Sequence, residues 1–307
     1  MASDLELLGK RISSYPRLSQ SDCLSGTGIA AGGAECPIID LETHRHMSNF
    51  SHYGYELFSI PVELHSILAT NVFFQCFSLL ELSNSWPSAN HYDLLCNRIS
   101  EISDIDFKQI FAKPYRVLTL PPINSLKIFL DSLLPELLHC ADYDISYVSE
   151  YESSKNPKLK KNSYDIPFRI VRNSINDVGP AHFDGMYWDL SKGTISEVSM
   201  RSFSSRAKVW IPIIGCDSTN SLSVVSGSHL QEVPIVSSEF INLTSSVKGV
   251  SNIEVCSEWF MQQSSRVSVP AFQQCNAILF HDKLVHKAPR NSTSPLRISL
   301  EFTVLYS

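Results

Sequence analysis

Residues 276–302 read NAILFHDKLVHKAPRNSTSPLRISLEF, and this stretch decides the fold of the C-terminal half of the chain. Two apolar runs, 277–280 and 296–305, are rich in β-branched and aromatic residues and are separated by Asn, Ser, Thr and Pro. Runs of this length between turn-forming residues are typical of strands joined by a loop. We therefore predict two strands here, with polar residues displayed on the second one.

The same pattern continues towards the N-terminus as far as about residue 145. Further strands are predicted at 166–172, 206–214, 221–225 and 266–269. Because no helices of the α/β type separate them, the strands are expected to pair antiparallel in a double sheet or barrel, which favours a jelly roll.

The N-terminal half shows a helical period instead. Apolar residues recur at helical spacing over 62–82 and 124–140, and Pro135 is expected to kink the second helix. The sequence thus predicts a single α+β domain over 1–307, in which a mainly helical region, 1–144, packs on a jelly-roll core, 145–307.

Composition excludes several classes of protein. The 307 residues are 43% hydrophobic with a net charge of −6 and no basic stripe, so nucleic acid is not an expected partner. No apolar run reaches the roughly 20 residues of a membrane helix, and no signal peptide is visible, so a cytoplasmic protein is expected. The eight cysteines contain no C-x-x-C pair and are expected to be free thiols. The oligomeric state is not indicated.

Metal-ligand chemistry is suggested by His182 and Asp184, an H-x-D pair within VGPAHFDGMYW. In an extended segment, residues i and i+2 point to the same side, so the two side chains can share one metal ion. A second H-x-D pair, His91 and Asp93, lies in a helical pattern, where i and i+2 diverge by about 200°. We therefore reject the second pair as a metal site.

The C-terminal stretch offers the residues that the first pair lacks. His286 follows one predicted strand, and two histidines with one carboxylate suit Fe(II) while leaving positions for a bidentate co-substrate and O2. Arg297 on the last strand is a cation suited to a carboxylate, and Ser299 lies on the same strand face.

Five segments taken together resemble the phytanoyl-CoA dioxygenase family of Fe(II)/2-oxoglutarate oxygenases, in matching order over about 140 residues. They are HFD at 182–184, KVWIPI at 208–213, SLSVVSGSHL at 221–230, LFHDKLVHKAPRN at 279–291 and RIS at 297–299.

The resemblance implies a double-stranded β-helix and a hydroxylase that uses Fe(II), 2-oxoglutarate and O2 and releases succinate and CO2. Asp184 argues against halogenation, because related halogenases carry Gly or Ala there, whereas desaturation, epoxidation and ring formation stay open. The implied site residues are His182, Asp184 and His286 on iron, Arg297 and Ser299 on the C5 carboxylate of 2-oxoglutarate, and Trp210 in the co-substrate pocket.

Other residues near these segments are weaker candidates. Arg169 and Arg172 alternate on a strand, so one can reach the site, for an anionic substrate or the co-substrate, while the other pairs elsewhere. Tyr187 and Trp188 could stack on a ring of the substrate. Lys208 is expected at the surface. His229 and His281 are expected to support the site rather than bind metal.

The substrate is the most open question. FRIVRNSINDVGPAHFDGMYWDL, 168–190, resembles a bacterial branch that hydroxylates the sugar acid Kdo. The expected substrate is therefore a small polar or acidic molecule or a glycan, with an amino acid or natural product as the alternative. A jelly-roll protein that binds a glycan or small acid without iron or turnover is the rival class. The polar segment 153–163 is a solvated loop or a lid.

Overall fold

The structure is a computed structural model that describes eleven parts of the chain. These are residues 49–82, 89–111, 116–140, 142–144, 166–173, 177–185, 204–238, 252–271, 273, 275–289 and 296–307. The segment 153–163, Tyr187 and Trp188 lie outside the described residues.

Helices dominate the N-terminal half, and strands dominate the rest. The helices are α1 Asn49–Tyr53, α2 Val62–Leu79, α3 Ala89–Glu101, α4 Asp104–Ile110, α5 Leu120–Leu138 and α6 Ser257–Gln262. The strands are β1 Tyr55–Ser59, β2 Tyr143–Asp144, β3 Phe168–Arg172, β4 Ser205–Ile214, β5 Ser223–Val225, β6 Ile235–Ser238, β7 Asn252–Val255, β8 Val267–Ser268, β9 Asn276–His281, β10 His286–Lys287 and β11 Leu296–Tyr306.

All strand pairs among the described residues are antiparallel. Six strands form the large sheet in the order β1-β9-β4-β11-β2, and β3 also pairs with β11. A smaller sheet has the order β10-β5-β8, and β6 and β7 form a separate pair. The protein is therefore rich in antiparallel sheet and carries several helices, as the strand pattern predicts.

One face of the large sheet packs on the helices. The alternate residues Val209 and Ile211 of β4 and Leu300 and Phe302 of β11 join one apolar cluster with helical residues such as Leu68. Burial of this surface stabilises the fold by roughly 25 cal/mol per Å². The helices thus cover one face of the large sheet, and the opposite face packs on other parts of the chain.

The opposite face of the large sheet packs on the small sheet. Trp210 of β4 and Phe280 of β9 form a second cluster with Leu222 and Val224 beside and within β5. We call this side the inner face. Residues that alternate with the helix-facing ones point into it, including the polar residues of β11.

The predicted strands agree with the observed ones to within a few residues, whereas the N-terminal half holds an unexpected strand. β1 forms an edge of the large sheet by pairing with β9, with Leu57 opposite Ile278. Helix α2 is found where the 62–82 periodicity predicts it, and α5 continues past Pro135 to Leu138. The described residues before 145 are therefore mainly helical but contribute β1 and β2 to the large sheet.

A close approach between Gly54 and His229 joins β1 to the turn after β5. Gly54 has φ 84°, and a Cβ there would lie 2.5 Å from His229 Nδ1. His229 Nε2 is 3.2 Å from the carbonyl of Ser51. Glycine is needed at residue 54 for both the backbone angle and the space. The contact agrees with the structural role expected for His229.

No helix in the described part of the chain is long and apolar enough to span a bilayer.

Candidate metal centre

His182, Asp184 and His286 come together between the two sheets. His182 and His286 exchange backbone hydrogen bonds of 3.0 and 2.8 Å in an isolated bridge. Their ring centroids are 4.4 Å apart. One potential ligand atom from each of the three residues lies within 4.8 Å of the others. The structure therefore places the three predicted ligands around one point.

Both imidazoles have the same orientation relative to their own backbone. Nδ1 of His182 is 2.8 Å from the carbonyl of Pro180, and Nδ1 of His286 is 2.9 Å from the carbonyl of Leu284. A carbonyl only accepts, so Nδ1 carries the proton and Nε2 keeps its lone pair. Burial, with a smaller contribution from neighbouring His182, lowers the pKa of His286 to about 4. The neutral ring that a metal requires is therefore the favoured form.

Asp184 supplies the third ligand atom. Its Oδ2 is buried and accepts no hydrogen bond among the residues that the structure describes. That oxygen lies 3.8 Å from His286 Nε2 and 3.7 Å from Lys208 Nζ. A buried carboxylate oxygen with no hydrogen bond is costly unless it has a cation or another ligand. The donor set of two imidazole nitrogens and one carboxylate oxygen fits a transition metal such as Fe(II).

The loop that carries Asp184 is held by the turn after β9. Gly185 donates its backbone N–H to the carbonyl of Asp282 at 2.8 Å. The side chain of Asp282 pairs with Arg206 of β4 at 2.7 Å and lies 3.1 Å from His281 Nδ1. A Cβ on Gly185 would approach Asp282 Oδ2 to 3.1 Å. His281 thus contacts the side chain of Asp282, the residue whose backbone carbonyl holds the loop, and it is not one of the three clustered residues.

Arg297 is an almost fully buried cation on the inner face, with 2% of its surface exposed. Its Nη1 donates to the carbonyl of Asn220, whereas Nε has no hydrogen-bond partner within the ranges given above. No carboxylate of the described segments forms an ion pair with it. Burial lowers its pKa to about 10. Ser299, two residues further along β11, is fully buried, and its Oγ likewise has no hydrogen-bond partner in the part of the chain that the structure describes. These donors fit an anionic ligand such as a carboxylate.

Trp210 lies on the same inner face. It is opposite Glu301 of β11 and opposite Ile278 of β9 in the strand register. The indole belongs to the apolar cluster between the two sheets. Trp210 is therefore positioned to exclude water beside the polar residues of β11.

Lys208 corrects a sequence-based expectation, because it is 7% exposed rather than at the surface. The inner face of β4 packs against the small sheet through Trp210, and Asp184 lies 3.7 Å from the ammonium of Lys208, so the side chain is covered. Burial lowers the pKa of Lys208, but the carboxylates of Asp184 and Glu301 outweigh this effect and raise it overall. The two carboxylates thus permit a buried ammonium.

Glu301 was missed by the sequence reasoning. Burial raises its pKa, but Lys208 and Arg169 lower it more strongly, to about 2, so the carboxylate is ionised. A signal was available: Arg297, Ser299, Glu301 and Thr303 place polar residues at every second position of an apolar strand. That alternation marks a polar inner face.

Arg169 and Arg172 lie on opposite faces of β3, as predicted from their alternation. Arg169 is opposite Ser299 in the register, and it is half-buried on the inner face. Among the described residues its guanidinium forms no direct ion pair or hydrogen bond, although its charge lowers the pKa of Glu301.

Arg172 faces the helices and does not fit the candidate role in substrate binding. Its guanidinium pairs with Asp177 at 2.8 Å and with Asp104 at 2.7 Å, and it stacks 3.9 Å from the ring centre of Phe107. These contacts connect β3 with α4 and explain why the alternation puts only one arginine in the site.

Comparison with protein-family models gave no match, and comparison with curated proteins gave none either. The resemblance to the phytanoyl-CoA dioxygenase family accordingly stays a prediction from the motifs.

Three solved structures illustrate a distant likeness in shape. EctD from S. alaskensis, crystallised with 2-oxoglutarate and 5-hydroxyectoine, is 14% identical, covers 84% of this chain and 74% of its own, and has a TM-score of 0.48. The non-heme alpha ketoglutarate dependent epimerase SnoN from nogalamycin biosynthesis is 11% identical, with coverage of 99% and 83% and a TM-score of 0.40. The non-heme monooxygenase ThoJ is 12% identical, with coverage of 84% and 76% and a TM-score of 0.42. At these values the likeness assigns no activity to this chain.

Proposed function

We propose that the protein is an Fe(II)- and 2-oxoglutarate-dependent oxygenase that hydroxylates a C–H bond of a small molecule. One observation carries this proposal: the cluster of His182, Asp184 and His286 adjoins the same sheet face that buries Arg297, which forms no direct ion pair with a carboxylate of the described segments. A dicarboxylate that chelates the metal at one end needs a fixed cation at the other. The site thus offers both halves of a 2-oxoglutarate site.

The residues would divide the work as follows. Together with O2, bound Fe(II) and 2-oxoglutarate supply the oxidation, in which one oxygen atom enters the substrate as hydroxyl and the other enters succinate, with release of CO2. His182, Asp184 and His286 would hold the metal through two Nε2 atoms and one carboxylate oxygen. Arg297 and Ser299 would bind the far carboxylate and orient it, and Trp210 would exclude water beside it.

The proposal is tested by anaerobic titration of the purified protein with Fe(II) and then 2-oxoglutarate. We expect a visible metal-to-ligand charge-transfer band that saturates at one 2-oxoglutarate per chain, because only an α-keto acid chelated to Fe(II) absorbs in this way. Succinate serves as the matched control and should give no band. In air with ascorbate, 2-oxoglutarate should then be converted to succinate. A protein that binds Fe(II) but shows no band with 2-oxoglutarate contradicts the proposal.

The proposed substrate is a small acidic molecule, such as the sugar acid Kdo, with amino acids and other natural products as the alternative acids. Arg169 supports an acidic group, because this half-buried guanidinium lies opposite Ser299 on the inner face and forms no direct ion pair in the described part of the chain, although its charge lowers the pKa of Glu301. Arg297, which likewise forms no direct ion pair among the described residues, serves the co-substrate in this scheme. Arg169 is therefore the cation left for the substrate.

An acid-preference assay tests the role of Arg169. Sugar acids and amino acids are each compared with their carboxamides as promoters of succinate formation. Replacement Arg169→Gln should reduce the preference for the acid roughly tenfold or more, because a charge-assisted hydrogen bond contributes about 1.5–3 kcal/mol. The exposed Arg98→Gln variant on α3 is the control. A change in the affinity for 2-oxoglutarate, with the acid preference intact, would instead assign Arg169 to the co-substrate.

A further inference from the structure

Lys208 places a positive charge beside a residue of the candidate metal centre. Its ammonium lies 3.7 Å from Asp184 Oδ2, the same oxygen that faces His286 Nε2. Buried charges interact more strongly than exposed ones, because the surroundings screen them less. A metal ion and Lys208 would therefore both be attracted to one carboxylate.

The ammonium of Lys208 is also held by two groups of β11. Lys208 Nζ donates to Thr303 Oγ1 at 3.2 Å and lies 3.5 Å from Glu301 Oε1. Thr303 is the direct register partner of Lys208, and Glu301 is two residues away on the same face of β11. Two groups of the last strand thus hold the ammonium at its distance from Asp184.

These contacts have opposite effects on the two states of the site. Without metal, Lys208 balances the buried charge of Asp184 and stabilises the folded chain. With a divalent cation bound, the ammonium repels it, and the charge of Glu301 offsets that repulsion. Neither Lys208 nor Glu301 has a part in binding or chemistry in the proposed function.

We propose that Lys208 and Glu301 act as positioning residues that set the metal affinity of the site. In the metal-free protein, the ammonium of Lys208 balances the charge of Asp184. When the metal binds, the carboxylate of Glu301 offsets the repulsion between that ammonium and the metal ion. This inference rests on the metal site of the proposed function, and it concerns the strength of binding rather than the reaction.

Calorimetric titration of the full-length chain with Co(II) tests the inference without requiring a substrate. We expect Lys208→Met to bind Co(II) roughly tenfold more tightly than the unaltered protein and Glu301→Gln roughly tenfold more weakly, each about 1.4 kcal/mol. The double variant, which removes both charges, should return to within about threefold of the unaltered protein because the two effects cancel. Thermal unfolding in EDTA should show a lower midpoint for Lys208→Met and a larger rise on adding Co(II).

The surface pair of Lys127 and Asp131 on α5, 3.2 Å apart, provides matched controls. Lys127→Met and Asp131→Asn remove the same kinds of charge from an exposed pair on α5. Co(II) affinity should therefore not change in either variant. A lysine that only supports the fold would weaken Co(II) binding when it is lost, and weaker or unchanged binding in Lys208→Met overturns the inference. If Lys208→Met does not fold, the comparison is made between Glu301→Gln and the double variant, and equal affinities of those two overturn it. Failure of the unaltered protein to bind Co(II) would instead refute the metal site itself.

Discussion

Replacement of Asp184 with alanine is expected to abolish succinate formation while leaving the fold largely intact. The carboxylate is the only oxygen donor in the cluster of three residues, so its loss leaves two imidazoles for the metal. Changes to groups that merely orient a ligand already cost 10–100-fold in affinity or activity, so loss of the ligand should cost more than roughly 100-fold. The fold should tolerate the change, because Asp184 Oδ2 makes no hydrogen bond in the described part of the chain and Glu301 remains as a counter-ion for Lys208.

The chain contains a matched control for this experiment. Asp93 belongs to the other H-x-D sequence, lies in helix α3 and is exposed. Asp93→Ala should retain full activity, and circular dichroism should show folded protein for both variants. An Asp184→Ala protein that converts 2-oxoglutarate at the normal rate would exclude Asp184 from the metal site.

The second large effect is expected from Arg297→Met, which should weaken 2-oxoglutarate binding by roughly 100-fold or more. Removing one partner of a buried, hydrogen-bonded charge pair costs about 2–5 kcal/mol, and 1.4 kcal/mol corresponds to a factor of ten. The measurement is the anaerobic charge-transfer titration at fixed Fe(II). Arg297→Lys should fall in between, because an ammonium keeps the charge but not the two parallel donors of a guanidinium.

Co(II) binding separates this loss from a general disturbance of the site. Arg297 makes no contact with the three clustered residues among the interactions of the described segments, so Co(II) affinity should stay within a few-fold of normal in Arg297→Met. Unchanged 2-oxoglutarate affinity would show that Arg297 only anchors the carbonyl of Asn220. In that case another cation would have to bind the co-substrate.

Much of the architecture could be predicted because it depends on local pattern. The alternation in 166–172, 206–214 and 296–305 follows from the two-residue period of a strand, and these strands were observed close to those bounds. The same rule separates Arg169 from Arg172 and puts Ser299 on the face of Arg297. The 62–82 helix likewise follows from the 3.6-residue period.

Other features depended on partners distant in sequence. β1 is a five-residue strand within a helical half, and only its pairing with β9 makes it part of the sheet. Arg172 was a candidate for substrate binding until Asp104 and Asp177 were seen to engage its guanidinium. Neither the pairing of β1 with β9 nor the ion pairs of Arg172 can be recognised from the sequence around these residues.

By itself, the sequence determined the alternation of strands, the main helices and the group of residues that can carry oxygenase chemistry. Only the tertiary structure decided which of the charged residues meet. From the sequence, Lys208 is expected at the surface, because one strand cannot show that another layer covers its inner face. Its burial beside Asp184 and Glu301 depends on the small sheet and the segment of Asp184 packing against that face and on β11 pairing with β4, which together bring the charges of three separate segments around one site.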